Sequence, residues 1–272
     1  MTSHDVVSVA RRALGTRRIG HAGTLDPFAT GLLVLLVGNA TRLLPYVDGE
    51  PKVYDATITF GSETDTDDLT GSVTVTAPLP EPGNVREQVA RLTGEIDQVP
   101  PAYSAKQVDG QRAYAAARRG TALALAPVRV VVHSWSIHEL TPSHMVTTIT
   151  CGGGTYIRAL ARDLGRAAGS AAHLSSLRRT GSGTFNVADA VSLDALKAGG
   201  VPLQPPLAAV NQMARVSVSA TDVINVRHGR AVDASSSEHT GNVALVDEAD
   251  TLVAIAERVN DGWQPRTVLP HA

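Results

Sequence analysis

The sequence predicts an α+β protein with a mixed, largely antiparallel sheet and a small C-terminal β module. Segments with helical and strand periodicity follow one another without a strict βαβ repeat, which favours this fold class over a parallel α/β sheet. A Gly- and Pro-rich stretch without periodicity, residues 198–207, precedes a shorter part of the chain with a hairpin pattern. We therefore expect two domains, residues 1–204 and 205–272.

The composition of the 272-residue chain is that of a globular protein in a reducing compartment. Hydrophobic residues make up 43% and charged residues 18%, enough apolar surface for a real core. The longest apolar run, residues 31–38, is shorter than the roughly 20 residues of a membrane span. The N-terminus lacks the basic region followed by an apolar stretch that marks a secretory signal. The single cysteine, Cys151, excludes an intrachain disulfide. We expect a cytoplasmic protein without a membrane partner.

Three helices are predicted from apolar spacing. The first covers residues 4–14, with Ser3 as its N-cap and Gly15 after its end. The second begins at the cap Asn84 and ends before Gly94. The third, residues 155–168, is amphipathic, with arginines at i, i+4 and i+8 on one face.

The strand predictions rest on alternating or continuous apolar runs. They cover residues 32–37, 54–60, 128–140 and 145–151, and a C-terminal hairpin of residues 243–246 and 252–256. Residues 16–31, punctuated by Gly, Thr and Pro, are expected to form a loop. The place of Cys151 on an alternating strand favours a buried thiol over a catalytic one, such as that of a cysteine-based uridine methyltransferase.

The formal net charge of −2 hides an uneven distribution. Residues 106–130 and residues 151–185 each hold five basic residues against one acidic residue. Each basic segment is either a solvated helix face or part of a footprint on RNA. The acidic run at residues 63–68 lacks the glycine and glutamate positions of a calcium loop, so we expect a solvated turn there.

Residues that favour turns are most frequent around Asp26. Gly20, Gly23 and Gly31 permit unusual backbone angles, and Pro27 stiffens the residue that follows the aspartate. Physical reasoning alone leaves two interpretations open. Asp26 is either an Asx-turn residue that ties its own loop, or an exposed and oriented carboxylate that does chemistry.

A family resemblance bears on this choice. The stretch Gly20-His-Ala-Gly-Thr-Leu-Asp-Pro-Phe-Ala-Thr-Gly-Leu-Leu resembles the signature of the bacterial tRNA pseudouridine synthase B family, in which this aspartate is catalytic. Further stretches match the same family in the same order: residues 52–56, 64–71, 99–105, 154–158, 163–165 and 177–179. Together they extend from residue 3 to about residue 190.

The resemblance implies a pseudouridine synthase that isomerises uridine 55 in the T arm of tRNA. Such an enzyme breaks the N1–C1′ bond, turns the uracil and rejoins it through C5, with a carboxylate that attacks either C1′ or C6. It implies tRNA as the partner, held at the T arm and elbow region, with no metal, no organic cofactor and no obligate protein partner. A monomer is expected.

The resemblance also assigns roles residue by residue. It makes Asp26 the nucleophile, Arg158 the arginine beside it, and Tyr54 the ring that stacks on a flipped-out uracil and whose hydroxyl takes the C5 proton. The substrate-binding residues that it implies are His21, which fills the gap left in the RNA, the pocket residues Tyr156 and Leu177, and Lys106, Arg178 and Arg179. Without it, Arg158 reads as a solvated helix arginine, and Tyr54 and Leu177 read as core.

Two departures from the family pattern stand out. The family commonly reads Ser-Ala-x-Lys, whereas this chain has Lys106 one position early and Gln107 in the usual place of the lysine. We expect Lys106 to lie on a loop, from which its long side chain reaches the RNA phosphate that a lysine at the usual position would contact. The family also usually carries a strand before its Thr-Ser-His-Asp segment, with which this chain begins.

Weaker signals leave alternatives for the function. Residues 226–232 loosely resemble a PUA-type RNA-binding fold, which makes the C-terminal module PUA-like. The rival to an enzyme is a non-catalytic RNA-binding protein or tRNA chaperone, which has no use for a positioned carboxylate beside a polyanion. A phosphate-handling enzyme that uses residues 152–154 would need a metal constellation that the sequence does not supply.

Overall fold

A computed structural model describes residues 1–47, 49–104, 106–108, 111–119, 121, 123–234 and 239–270. By contact, the chain divides into two compact units. The terminal unit comprises Met1–Leu25, Leu33–Gly49 and Asp189–Ala272, and the sheet unit comprises Asp26–Leu32 and Glu50–Ala188. This division groups the N-terminal segment with the C-terminal module, and the domain boundary at residues 204 and 205 stays a prediction.

The strands, in chain order, are β1 (Ile19–Ala22), β2 (Thr30–Gly31), β3 (Val34–Val37), β4 (Lys52–Phe60), β5 (Ser62–Thr64), β6 (Val73–Thr76), β7 (Gly94–Gln98), β8 (Gln107–Val108), β9 (Gln111–Arg112), β10 (Val128–Leu140), β11 (His144–Cys151), β12 (Ala172–Ser182), β13 (Phe185–Asn186), β14 (Arg215–Ser217), β15 (Val232–Asp233), β16 (Asn242–Val246), β17 (Leu252–Val259) and β18 (Gly262–Val268). The α-helices are α1 (Ser3–Ala13), α2 (Pro82–Arg91), α3 (Ala113–Arg118), α4 (Ile157–Ala167), α5 (Leu193–Ala198) and α6 (Ala220–Arg227). Short 3₁₀ helices cover Gly38–Tyr46, Val187–Asp189 and Pro206–Val210.

The sheet unit is built on a seven-stranded sheet in the order β13-β12-β4-β11-β10-β7, with β2 added in parallel beside β12. The other pairings in this sheet are antiparallel. Helix α4 packs on β12 and α2 packs on α4, so one face of the sheet is covered. Fully buried Ile58, Ile149, Leu160 and Leu174 form the apolar layer between them. The predicted mixed, largely antiparallel sheet is confirmed.

The terminal unit contains a five-stranded sheet in the order β14-β16-β17-β18-β15. Its core includes fully buried Trp263, and the predicted C-terminal hairpin is present as β16 and β17. The N-terminal part of this unit pairs β1 with β3 and packs α1 on α5. The small C-terminal β module is therefore present. No described helix is long and apolar enough to cross a membrane.

Two predicted helix starts are wrong. Helix α1 is capped by Thr2, whose hydroxyl accepts from the Asp5 amide while the Asp5 carboxylate accepts from the Thr2 amide. This capping box outcompetes Ser3, whose hydroxyl instead accepts from the Leu25 amide. Helix α2 begins at Pro82, because proline is preorganised for a first helical turn. Asn84 lies inside α2, and its amide group donates to the Ala168 carbonyl.

The expected loop at residues 16–31 contains two short strands, β1 and β2. Both depend on partners elsewhere in the chain, β3 and β12, so local turn signals could not reveal them. The predicted strand at residues 32–37 is present as β3, shortened at its start. Strands β4, β10 and β11 confirm the predicted strands of the main sheet, and α4 confirms the third helix.

Candidate active site

The centre of the site is an ion pair between Asp26 and Arg158. Arg158 is the second residue of α4, and its guanidinium binds the carboxylate in a fork, with Nε 3.0 Å from Oδ2 and Nη2 2.8 Å from Oδ1. Arg158 is buried at 4% exposure, whereas 30% of the Asp26 side chain is exposed. The fork fixes the direction of the carboxylate, and the exposed part leaves it accessible to a ligand.

The remaining donors of Arg158 bind backbone carbonyls from two other segments. Nη1 donates to Thr66 at 2.8 Å, and Nη2 donates to Tyr103 at 3.0 Å. The Asp68 carboxylate adds a second negative charge, 3.7 Å from Nε. A buried arginine with this set of acceptors cannot swing away, so the alternative of a solvated helix arginine is wrong.

The acidic run at residues 63–68 is not the solvated turn that the sequence predicts. Glu63, Asp67 and Asp68 are all buried. Their charges face the arginine stripe of α4, in the order Asp68 to Arg158, Asp67 to Arg162 and Glu63 to Arg166. Arginines at i, i+4 and i+8 lie on one face of a helix, so a single acidic segment neutralises all three.

These ion pairs account for three of the five basic residues in the segment of residues 151–185. Arg158 and Arg162 are buried, and the guanidinium of Arg166 binds Glu63 with both Nε and Nη2. Arg158 and Arg162 therefore serve the interior of the sheet unit, whereas the side chain of Arg166 is 58% exposed and neutralises the buried Glu63 from the surface. Burial raises the pKa of Asp67 to about 6, although the neighbouring Arg162 favours its ionised form.

Tyr54 faces the same site from the central strand β4. It is only 7% exposed, and burial raises the pKa of its hydroxyl. Arg179, which pairs with Tyr54 across β12 and β4, hydrogen-bonds to the tyrosine side chain and opposes this rise, whereas the charge of Asp26 adds to it. The phenol is therefore protonated at neutral pH and lies within the electrostatic reach of the Asp26 carboxylate.

Arg179 is fully buried and ties the Asp26 segment to β12. Its Nε donates to the Leu32 carbonyl at 2.8 Å, and the Leu32 amide donates to the Arg179 carbonyl at 2.8 Å. One residue thus contacts both the strand end that follows the Asp26 loop and the side chain of Tyr54. Sequence reasoning grouped Arg179 with substrate-binding residues, and its burial points instead to a role inside the site.

Tyr156 and Leu177 complete the surroundings. Leu177 is buried and pairs with Ala56, on the sheet face that carries Tyr54. Tyr156 precedes α4, and its backbone is clamped by Gln98, which accepts from the Tyr156 amide at 2.9 Å and donates to its carbonyl at 3.1 Å. Gln98 is fully buried, and sequence reasoning missed it because a glutamine at a strand end carries no distinctive signal.

The other three residues predicted to bind substrate are Arg178, Lys106 and His21. Arg178 is exposed and pairs with Asp55, so it points to the sheet face opposite Tyr54. Lys106 is exposed and precedes the two-residue strand β8, outside any strand itself, as expected for a loop residue. Residues 109 and 110, which supported that loop prediction, lie outside the described residues. His21 lies on β1 of the terminal unit.

Two other kinds of site find little support. Among the described residues, no three His, Cys, Asp or Glu side chains are grouped as metal ligands are. At the glycine-rich turn, the Glu50 carboxylate lies against Gly152 and Gly153. A negative charge already occupies that position, which argues against phosphate binding there.

Solved structures share this fold. One is an H/ACA RNP bound to a substrate RNA containing 2′-deoxyuridine, with a TM-score of 0.74 and 22% identity over 100% of this chain and 82% of that chain. Another is the archaeal box H/ACA sRNP Nop10–Cbf5 complex, with a TM-score of 0.73 and 23% identity over 99% of this chain and 83% of that one. The chain therefore belongs to the same fold class as these structures.

Sequence comparison narrows this class. Residues 11–157 match the N-terminal domain of the TruB family pseudouridylate synthases, and residues 158–201 match the tRNA pseudouridylate synthase B C-terminal domain. The chain is 43% identical to a tRNA pseudouridine synthase B of Thermobifida fusca over 98% of this chain and 94% of the relative. It is 43% identical to that of Arthrobacter sp. over 90% of this chain and 83% of the relative. The chain belongs to the TruB family of pseudouridylate synthases.

Proposed function

We propose that the protein isomerises uridine 55 in the T arm of tRNA to pseudouridine, with Asp26 as the nucleophile. The observation that carries the proposal is the fork between Arg158 and Asp26, which holds a partly exposed carboxylate in a fixed direction beside a buried tyrosine. The relatives in several bacteria are named tRNA pseudouridine synthase B, which supports tRNA as the substrate.

The isomerisation conserves the atoms of the nucleoside. In one route the Asp26 carboxylate attacks C1′, forms an ester and displaces uracil through N1. In the other it adds to C6 of the ring, and the N1–C1′ bond then breaks. In both, the base turns, a bond forms between C5 and C1′, the Asp26 bond breaks, C5 loses its proton and N1 gains one. In the C6 route the covalent bond holds the base itself, whereas in the C1′ route it holds the ribose and the pocket alone keeps the uracil in the site while it turns.

The residues around Asp26 have different roles in the reaction. Arg158 aims the carboxylate, since two hydrogen bonds from its planar guanidinium fix the direction of both carboxylate oxygens. Tyr54 stacks on the flipped-out uracil and takes part in the removal of the C5 proton, while Tyr156 and Leu177 line the pocket. Arg179 holds the Tyr54 side chain and the end of the Asp26 segment in register.

The remaining assignments concern tRNA binding. Lys106 and Arg178, both exposed, bind phosphates outside the base pocket, and His21 fills the gap that the flipped base leaves in the RNA. Residues 205–272, with a PUA-like fold, add contacts to the same tRNA. We propose a cytoplasmic monomer that needs neither a protein partner nor a cofactor.

Tritium release tests the proposal directly. An unmodified tRNA transcript labelled at C5 of uridine is incubated with the protein, in the presence of EDTA, and the tritium that enters water is counted. One equivalent of release is expected per tRNA, and none from a matched transcript with cytidine at position 55. Binding without release would instead support the rival, a non-catalytic tRNA chaperone. Release from the cytidine transcript would show that the protein modifies a uridine at another position.

A further inference from the structure

Arg162 lies one helical turn after Arg158 on α4 and makes three contacts of its own. Its Nε binds the Asp163 carboxylate at 2.9 Å, Nη1 binds Asp67 at 2.9 Å, and Nη2 donates to the Val99 carbonyl at 2.8 Å. Both Arg162 and Asp67 are buried. The pair therefore joins α4 to two separate segments of the sheet unit, near residue 67 and near residue 99.

These are the same two segments that supply the backbone acceptors of Arg158. Thr66 immediately precedes Asp67, and its carbonyl receives Nη1 of Arg158. Tyr103 lies four residues after Val99, and its carbonyl receives Nη2 of Arg158. Two prolines follow Val99 and restrict the backbone between Val99 and Tyr103. A shift at either contact of Arg162 is thus transmitted to an acceptor of Arg158.

The backbone at Asp67 is in a turn conformation that aspartate and asparagine adopt more readily than other residues with a side chain. Its φ of +59° is in the left-handed region, which is disfavoured for a residue with a side chain. Its carbonyl accepts from the Leu174 amide at 3.1 Å, so the turn is joined to β12 as well. The ion pair with Arg162 holds the side chain of this residue and thereby the peptide that presents the Thr66 carbonyl.

We infer that Asp67 and Arg162 are positioning residues for the reaction, which hold the carbonyls of Thr66 and Tyr103 on Arg158 and thereby aim the Asp26 carboxylate. The inference rests on the proposed function of Asp26. Both residues act through Arg158, so their loss lowers the rate of the chemical step more than the affinity for tRNA.

The next pair on the same helix provides a control that is matched in geometry and differs in burial, since the side chain of Arg166 is 58% exposed and that of Arg162 is 9% exposed. Glu63 and Arg166 form an equally close ion pair between α4 and the acidic run, with 2.8 Å and 2.6 Å between the bonded atoms. Both of these hydrogen bonds of Arg166 go to Glu63, and neither reaches the segment of residues 99–103. A change there alters the charge of the same two elements without releasing the Val99 carbonyl.

The test compares two neutral double variants, Asp67→Asn with Arg162→Gln and Glu63→Gln with Arg166→Gln. Neutralising both partners avoids a buried charge without a counterion. We expect the first to lower the single-turnover rate of tritium release by at least about tenfold with the Kd for tRNA within about threefold, and the second to change neither by more than about threefold. Equal effects in the two variants, or an effect on Kd alone, would overturn the inference.

A second readout is independent of turnover. In protein labelled with ¹⁵N-arginine, the Nε–Hε signal of Arg158 is identified by its loss in Arg158→Lys. We expect this signal to shift and to exchange faster with solvent in the first double variant and to stay in place in the second. If that variant does not fold, Asp67→Asn alone, which keeps the volume of the side chain, is measured in the same way.

The two readouts separate the two proposals. If the wild-type protein releases no tritium while the Arg158 signal responds as expected, the proposed function fails and the positioning role stands. If the wild-type protein releases tritium and neither the signal nor the rate responds to the first variant, the positioning role is wrong and the proposed function stands.

Discussion

Gly31 lies directly against the backbone carbonyl of Arg179, in the parallel bridge between β2 and β12. The backbone of Gly31 is in the left-handed region, with φ at +94°, and a Cβ there would overlap with the Arg179 carbonyl oxygen. Asp26 lies five residues before Gly31 in the same segment, and Arg179 holds the Tyr54 side chain. The close approach of these two backbones thus sets the position of the Asp26 segment against β12, the strand that pairs with β4 at Tyr54.

Gly31→Ala is expected to damage both stability and catalysis. Left-handed strain alone costs on the order of 1–3 kcal/mol, and the overlap with Arg179 adds to it. Gly94→Ala is the matched control, because Gly94 has φ at +91° and no atom within 4 Å of the place that a methyl group would take. Urea unfolding should show a larger loss for Gly31→Ala, and only this variant should slow tritium release by more than about tenfold. Equal losses of stability would show that strain alone matters at Gly31.

Asp26→Asn is expected to abolish isomerisation, with a residual rate below about one-thousandth of wild type, because the amide cannot form the covalent tether. The affinity for tRNA should stay within a few-fold, as the loss falls on the chemical step. Asp55→Asn is the control, since Asp55 lies on β4 next to Tyr54 but faces the opposite side of the sheet. Single-turnover tritium release and filter binding provide the two measurements. Near-wild-type turnover of Asp26→Asn would exclude Asp26 as the nucleophile.

The sequence predicts the parts of the site that are local. Apolar alternation predicts β4 and β11, helical spacing predicts α4, and a family motif identifies Asp26 and Arg158 as a group. Each of these signals is contained in a short stretch of chain. The family resemblance alone links Asp26 to Arg158, because periodicity and spacing say nothing about two residues that are 132 positions apart.

The same reasoning fails where one segment neutralises another. The acidic run at residues 63–68 and the arginine stripe of α4 are both visible in the sequence, and each by itself resembles a solvated surface. Their mutual burial depends on tertiary packing that brings together segments more than 90 residues apart. Their opposite charges could have suggested a pairing, but not which acid faces which arginine. The roles of Gly31 and Arg179 likewise follow from strand register, which the sequence alone does not determine.

Tyr54→Phe is expected to keep tRNA affinity and to slow proton removal from C5, because the ring that stacks on uracil stays and the hydroxyl is lost. Burial raises the pKa of this hydroxyl above its usual value near 10 in the folded protein. If the Tyr54 phenolate takes the C5 proton, the wild-type rate should therefore rise between about pH 7 and pH 9, because the phenolate fraction grows about tenfold per pH unit below the pKa. A single-turnover pH profile checks this. An unchanged rate in Tyr54→Phe would leave the tyrosine a stacking or packing role only.

Cys151 is expected to be unreactive in the folded protein. Burial raises the pKa of its thiol from 9.0 to about 11, so the reactive thiolate is scarce at pH 8. The folded protein favours the neutral thiol, so the thiol contributes fully to the free energy of unfolding below about pH 9. This contribution, roughly 2–3 kcal/mol, is lost between about pH 9 and pH 11. The difference in unfolding free energy between wild type and Cys151→Ala across this range measures it. Rapid alkylation of the folded protein by iodoacetamide would contradict the prediction.

The last prediction concerns Lys106, which stands one position before the usual place of a lysine in the family. Its side chain is exposed and its backbone lies outside β8, although its carbonyl accepts from the Ala113 amide at 2.8 Å. A residue within a strand would have a side chain confined to one face, whereas a residue before the strand can swing its ammonium toward a phosphate.

Lys106→Ala is therefore expected to weaken tRNA binding alike for all sequences and to lower the slope of log K against log salt by about 1, the signature of one lost phosphate contact. Filter binding at a series of salt concentrations gives both quantities. Gln107→Lys tests the alternative, because it restores the lysine at the usual position. If affinity and slope are unchanged in Lys106→Ala but rise in Gln107→Lys, then Lys106 does not compensate for the displaced lysine, and the wild-type chain binds tRNA without that contact.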